Sequence, residues 1–143
     1  MNVVVADFGA LPDGRMAQAV TMSAGAVRAT ILTLGGILQS LQMPDRDGRC
    51  AEVTLGHDDI AGYLASRNYP GAIIGRTAGR IAGGRISVDG VDHQLSCNEG
   101  TNTLHGGAQG FDRALWRLVS ANVEDGAAVL RLTHQSPAGD EGY

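Results

Sequence analysis

Two stretches of this chain share one local pattern: a run of apolar and β-branched residues, a pair ending in Asp-Gly, and a second such run. In the first, Arg85-Ile86-Ser87-Val88 and Val91-Asp92-His93-Gln94-Leu95 flank Asp89-Gly90. In the second, the segments 115–122 and 127–133 flank Glu124-Asp125-Gly126. A two-residue hairpin turn needs positive φ at its centre, which Asp and Gly supply at low cost, so each stretch predicts an antiparallel hairpin. Gly accounts for 21 of 143 residues and aromatics for only 4%, against a usual glycine share of about 7%. That balance favours short strands joined by many turns over long helices.

The rest of the chain fits the same plan. Ala26 to Leu34 and Ile37 to Leu41, split by Gly35-Gly36, are predicted as two strands and a turn. Pro44-Asp45-Arg46-Asp47-Gly48 is a turn cluster, and Ala51 to Leu55 follows as a strand. His57 to Leu64 is the best short-helix segment, with Asp58 or Asp59 as its cap. This gives about seven strands, no repeat and no linker. The expectation is an all-β fold, an antiparallel β-sandwich, with residues 1–143 treated as one unit.

Composition removes several functions. The formal net charge is −4 and the arginines are dispersed, so there is no basic footprint for nucleic acid. All 11 basic residues are Arg, which excludes a Schiff-base lysine and a Walker-type phosphate loop. Cys50 and Cys97 have no CxxC pairing, and the opening Met1-Asn2-Val3-Val4-Val5-Ala6-Asp7 lacks a basic region ahead of its short apolar run; together they imply a cytoplasmic protein. No stretch approaches the roughly 18 apolar residues of a membrane span. His57, His93 and His134 share no ligand-like spacing with one another or with the cysteines, so no metal is expected. Gly106-Gly107-Ala108-Gln109-Gly110 is a very weak nucleotide-loop match, since it neither follows a clear strand nor opens a helix.

Chemistry concentrates in Asn102-Thr103-Leu104-His105-Gly106-Gly107-Ala108-Gln109-Gly110-Phe111-Asp112-Arg113. Glycines around His105 permit backbone dihedrals closed to other residues and a close approach by a ligand. On residue type alone, His105 fits a surface hydrogen-bonding role as well as an active-site one, and Arg76 and Arg80 fit a solvated pair. A neutral imidazole donates at one nitrogen and accepts at the other, which suits a sugar hydroxyl or ring oxygen. An Arg fork makes directed bonds to paired acceptors such as vicinal hydroxyls.

Taken with Gly75-Arg76-Thr77-Ala78-Gly79-Arg80-Ile81 and Ser136-Pro137-Ala138-Gly139-Asp140-Glu141-Gly142-Tyr143, that segment resembles the aldose 1-epimerase (galactose mutarotase) family, with the three motifs in the family's order and near its spacing. The resemblance implies an isomerase that interconverts the α and β anomers of hexoses such as galactose or glucose, on the family's large β-sandwich and with no cofactor. Residues 1–143 would form the N-terminal part of one such domain, the sandwich being incomplete in this chain. It gives Arg80 a substrate-binding role and His105 a substrate-binding and catalytic one, and leaves Arg76 structural. Family members often carry Asn where this chain has Gly79, so a side-chain contact from that position is lacking. Phe111-Asp112-Arg113 and Trp116 match a family run that is mainly structural; Asp112 is expected to bond loop amides and Trp116 to enter the core. Asp140-Glu141 looks like a catalytic acid pair, yet in the family this turn is not the general base.

Mutarotation needs a base for the C1 hydroxyl proton and an acid for the ring oxygen, acting from opposite sides. In the family a Glu, a second His and a substrate-binding Asp lie further along the chain than any motif found here, so residues 1–143 are expected to be a fragment, nearly inactive alone. The expected partner is a small hexose, with no nucleic acid and no membrane. The other class of function open to this sequence is a non-catalytic sugar-binding or sensing β-sandwich on the same scaffold.

Overall fold

The computed structural model describes Met1–Tyr143 and contains eleven strands, one short α-helix and two 3-10 turns. Five strands form a sheet in sequential order: β1 (Asn2–Ala10), β2 (Met16–Ala24), β3 (Val27–Leu32), β4 (Leu38–Pro44) and β5 (Cys50–Glu52), all pairs antiparallel. The Gly35-Gly36 turn forms as expected, with φ of 64° and 56°, the two positive values that a two-residue hairpin turn requires. Thr33 and Leu34 leave the ladder, however, so β3 stops at Leu32. Leu34 instead bridges to Leu115.

β1 was not expected, because Asn2–Ala10 shows no clean alternation. Its pairing with β2 supplies the order, with a bulge where the register passes from Asp7↔Gln18 to Gly9↔Ala17. The helix α1 (Ile60–Ala65) is capped by Asp59, whose carboxylate accepts the Gly62 N–H at 2.7 Å. That bond satisfies one of the orphan amides of the first turn.

By its contacts the chain divides into two compact units: 1–72 with 115–134, and 73–114 with 135–143. In the first, the hairpin β10 (Arg117–Glu124) and β11 (Ala127–Thr133) turns at Asp125 and Gly126, with φ of 46° and 77°. β10 lies against β1 and β11 against β2. The apolar core here is Leu11, Ala17, Leu32, Leu34, Ile37, Ile60 and Tyr63, flanked by Phe8, Ala19, Leu64, Ala72 and Leu115. Trp116 does not enter it. It sits half-buried just ahead of β10, its ring 5.3 Å from that of His134.

The second unit holds the short pair β6 (Arg80–Ile81) and β9 (Thr103–Leu104) and the hairpin β7 (Arg85–Val88) and β8 (Val91–Gln94). The Asp89-Gly90 turn has the expected positive φ values, 50° and 79°. The architecture is all-antiparallel β, as the sequence predicts, with more and shorter strands than the sequence count. No helix is long and apolar enough to cross a membrane.

Leu32 is fully buried in the first unit's core. Leu32→Ala should therefore cost about 2–5 kcal/mol, from lost transfer energy and the cavity left behind, measured as a lower urea midpoint with an unchanged slope.

Candidate functional site

The second unit has little apolar core; Leu95 is its one buried large apolar residue. Polar side chains hold its backbone instead. Asn98 donates from its amide nitrogen to the carbonyls of Leu104 and Gly107, both at 2.9 Å, while its oxygen accepts the Leu104 N–H at 2.7 Å. The buried Thr103 hydroxyl donates to the Ser96 carbonyl at 2.8 Å. Each bond satisfies a backbone group that a short strand leaves unpaired.

β6 and β9 pair Arg80 with Leu104 and Ile81 with Thr103, which joins the arginine-bearing motif to the histidine-bearing one. His105 follows β9 directly. Its N–H donates to the Gly79 carbonyl at 3.0 Å, and its Nδ1 accepts the Gly79 N–H at 3.1 Å. An Nδ1 that accepts carries no proton, so the neutral ring is the Nε2–H tautomer. Nε2 is then the ring's donor nitrogen.

This placement is strained. His105 has φ of 50°, a left-handed conformation that costs a non-glycine residue of order 1–3 kcal/mol and persists only where the surroundings fix it. Gly106 and Gly107 follow with φ of 93° and 97°. A Cβ at Gly106 would strike the Gly75 carbonyl, and one at Gly107 the Glu141 carboxylate. Only glycine fits either position.

The turn at 140–142 explains the second contact. Glu141 accepts the N–H groups of Ala108 at 2.7 Å and Gln109 at 3.1 Å, so the apparent catalytic carboxylate is spent on two consecutive loop amides. Arg76 ties down the same turn: it donates to the Ser136 hydroxyl at 2.6 Å, to the Pro137 carbonyl at 2.7 Å and to the Tyr143 carbonyl. Arg76 is a structural brace, as expected. Arg80 is different. Its side chain is 63% exposed and meets only the Glu99 carboxylate, Nε to Oε2 at 2.6 Å and Nη2 to Oε1 at 2.7 Å. That contact holds the Glu99 carboxyl below the usual carboxylate range.

Asp112 accepts from Arg113 and from its own backbone N–H. It is buried at 9% exposure, its Oδ2 lies 3.1 Å from Arg113 Nε, and its Oδ1 has no hydrogen-bond partner. Burial raises its pKa, and the Arg113 charge only partly opposes this.

The aldose 1-epimerase family model matches residues 18–143. This chain belongs to the aldose 1-epimerase family. Galactose mutarotase of Bos taurus is 39% identical over 146 residues, covering all of this chain and 41% of that protein. Aldose 1-epimerase of Escherichia coli K12 is 37% identical over 134 residues, covering 92% of this chain and 37% of that protein. Among solved structures, galactose 1-epimerase of Lactobacillus acidophilus NCFM superposes with a TM-score of 0.80 at 26% identity, over 98% of this chain and 40% of that one. The chain thus spans about two fifths of the length of the curated relatives it matches.

Within this chain, the sequence motifs singled out Arg80 and His105 but gave no notice of Asn98 or Glu99, whose roles come from contacts made on folding. Asn98 had one available signal: a polar residue able to donate twice and accept once, just ahead of a glycine-rich loop.

Two outcomes follow for the loop. Glu141→Ala, which leaves two amides without their charged acceptor, should destabilise the protein by about 1–3 kcal/mol and speed hydrogen exchange at Ala108 and Gln109, read by NMR. For Asp112, a folded pKa above the unfolded value means that its contribution is fully present below the unfolded pKa and lost as pH rises through the folded one. Asp112→Asn should therefore raise the melting temperature at pH 7, with the gain shrinking toward pH 4 in calorimetric scans.

Proposed function

We propose that the complete protein is a mutarotase, interconverting the α and β anomers of a hexose such as galactose or glucose, and that Arg80 and His105 bind the sugar. The observation that carries this reading is His105 itself. A non-glycine residue held left-handed by glycines, with Nδ1 committed to Gly79 and Nε2–H as the donor, sits one strand pair from an exposed arginine. Strain of this kind persists where it has a use, and the family supplies the use. The relatives named galactose mutarotase and aldose 1-epimerase support the same substrate class.

In this reading Nε2–H of His105 donates to a ring or hydroxyl oxygen while the Arg80 fork fixes adjacent hydroxyls. A base takes the C1 hydroxyl proton and an acid protonates the ring oxygen. The C1–O5 bond opens to the aldehyde, C1 rotates, and reclosure on the other face returns both protons. Nothing is oxidised or reduced. The carboxylates near His105 are poor candidates for the base, since Glu99 is held by Arg80, Glu141 by two amides, and Asp112 is buried beside Arg113. In this reading the base and the acid come from residues outside 1–143. Cys50 and Cys97 are both free thiols, which fits a reducing compartment and supports a cytoplasmic location.

In the complete protein, Arg80→Ala and His105→Ala should each lower kcat/KM for mutarotation at least about tenfold, equivalent to about 1.4 kcal/mol of transition-state binding. Arg76→Ala should lower the melting temperature instead, because it unties the turn that supports the loop. Polarimetry of freshly dissolved α-galactose and α-glucose measures the first effect. Wild-type rates in both variants would overturn the assignment.

A further inference from the structure

We propose that Glu99 is a positioning residue for Arg80, fixing the guanidinium plane so that its Nη1 end is what the sugar's hydroxyls meet. The inference rests on the reading that Arg80 binds the hexose. A guanidinium carries five N–H donors in one plane. The side-on pair with Glu99 uses the Nε donor and one Nη2 donor. Two donors on Nη1 and one on Nη2 remain; one from each nitrogen points out at the end of the fork, where their spacing matches paired oxygen acceptors.

Without that pair the arginine would be poorly directed. Its side chain is 63% exposed and makes no other hydrogen bond or ion pair, so a long flexible stem would sample many rotamers. Glu99 is itself well anchored. Its N–H donates to the Asn102 carbonyl at 3.1 Å, its carbonyl accepts the Asn102 N–H at 2.9 Å, and it adjoins Asn98, which clamps the His105 loop. One short segment therefore aims both sugar-binding groups.

A competing role, in which Glu99 occupies Arg80 and must be displaced by substrate, is disfavoured by the bond strengths. Both partners of the Arg80–Glu99 pair are charged and the contact is bidentate, so an uncharged hydroxyl is the weaker acceptor and does not displace the carboxylate. The pair persists with sugar bound and acts as a frame. As an exposed ion pair it contributes little to folding, which separates its role from a structural one.

The test compares Glu99→Ala, Glu99→Gln, Arg80→Ala and the Arg80→Ala/Glu99→Ala double variant in the complete protein, with KM and kcat from polarimetry on galactose and glucose and melting temperature by calorimetry. Glu99→Ala should raise KM about tenfold, with kcat within about twofold of wild type and the melting temperature unchanged. Glu99→Gln, whose amide oxygen still accepts from the guanidinium, should recover most of that loss. The double variant should be no worse than Arg80→Ala alone, because Glu99 acts through Arg80. An unchanged or lowered KM in Glu99→Ala, or additive losses in the double variant, would overturn the proposal while leaving the function intact. Wild-type kinetics in Arg80→Ala would overturn the sugar-binding reading and this proposal with it.

Discussion

The Asn98 clamp is the contact on which the second unit depends. A glycine-rich segment offers little apolar area to bury, so the usual driving force for folding is weak there, and the entropy of ordering glycine is high. Asn98 answers this by making three hydrogen bonds to the backbone of Leu104 and Gly107. With those bonds in place, β9 can pair with β6, and His105 can lie in a conformation that no isolated peptide would favour. Glu141 and Arg76 extend the same device, one holding the loop amides and the other holding the turn that carries Glu141.

The consequence for chemistry is a histidine whose tautomer and direction are set by backbone. Gly79 both accepts from the His105 N–H and donates to its Nδ1, so the ring cannot rotate without breaking the Gly79 N–H bond. An imidazole oriented in this way presents Nε2 at little reorganisation cost, the property expected of a group that meets developing charge or a specific hydroxyl. The open space where a Cβ would sit on Gly79 shows that this residue is constrained by its φ of 72° rather than by crowding. The family's asparagine at this position is compatible with that, since Asn is among the residues that tolerate left-handed backbone.

Carboxylates near the site illustrate how environment assigns roles. Glu99, Asp112 and Glu141 belong to one unit, yet one pairs with an exposed arginine, one is buried with an oxygen unpartnered, and one accepts two amides. Residue type alone makes each a possible acid or base. Their contacts distribute them among aiming a guanidinium, storing a burial cost and bracing a loop.

What the sequence determined by itself was local. The turns at Gly35-Gly36, Asp89-Gly90 and Asp125-Gly126 were legible because positive φ is a requirement of the turn residues themselves, and the Asp59 cap because it satisfies an amide three residues away. The three motifs also placed Arg80 and His105, through family resemblance rather than through any physical signal in the spacing. Only the tertiary structure decided the pairings between distant segments. β1 became a strand by lying along β2; β6 and β9 are two residues each, too short to show a period; and Trp116, expected in the core, stayed half-buried beside His134. The difference between Arg76 and Arg80 is likewise tertiary: one guanidinium reaches residues 136, 137 and 143, the other a carboxylate at 99. Conformational preference is written residue by residue, whereas the partner of a side chain is fixed only when the fold has brought remote parts of the chain together.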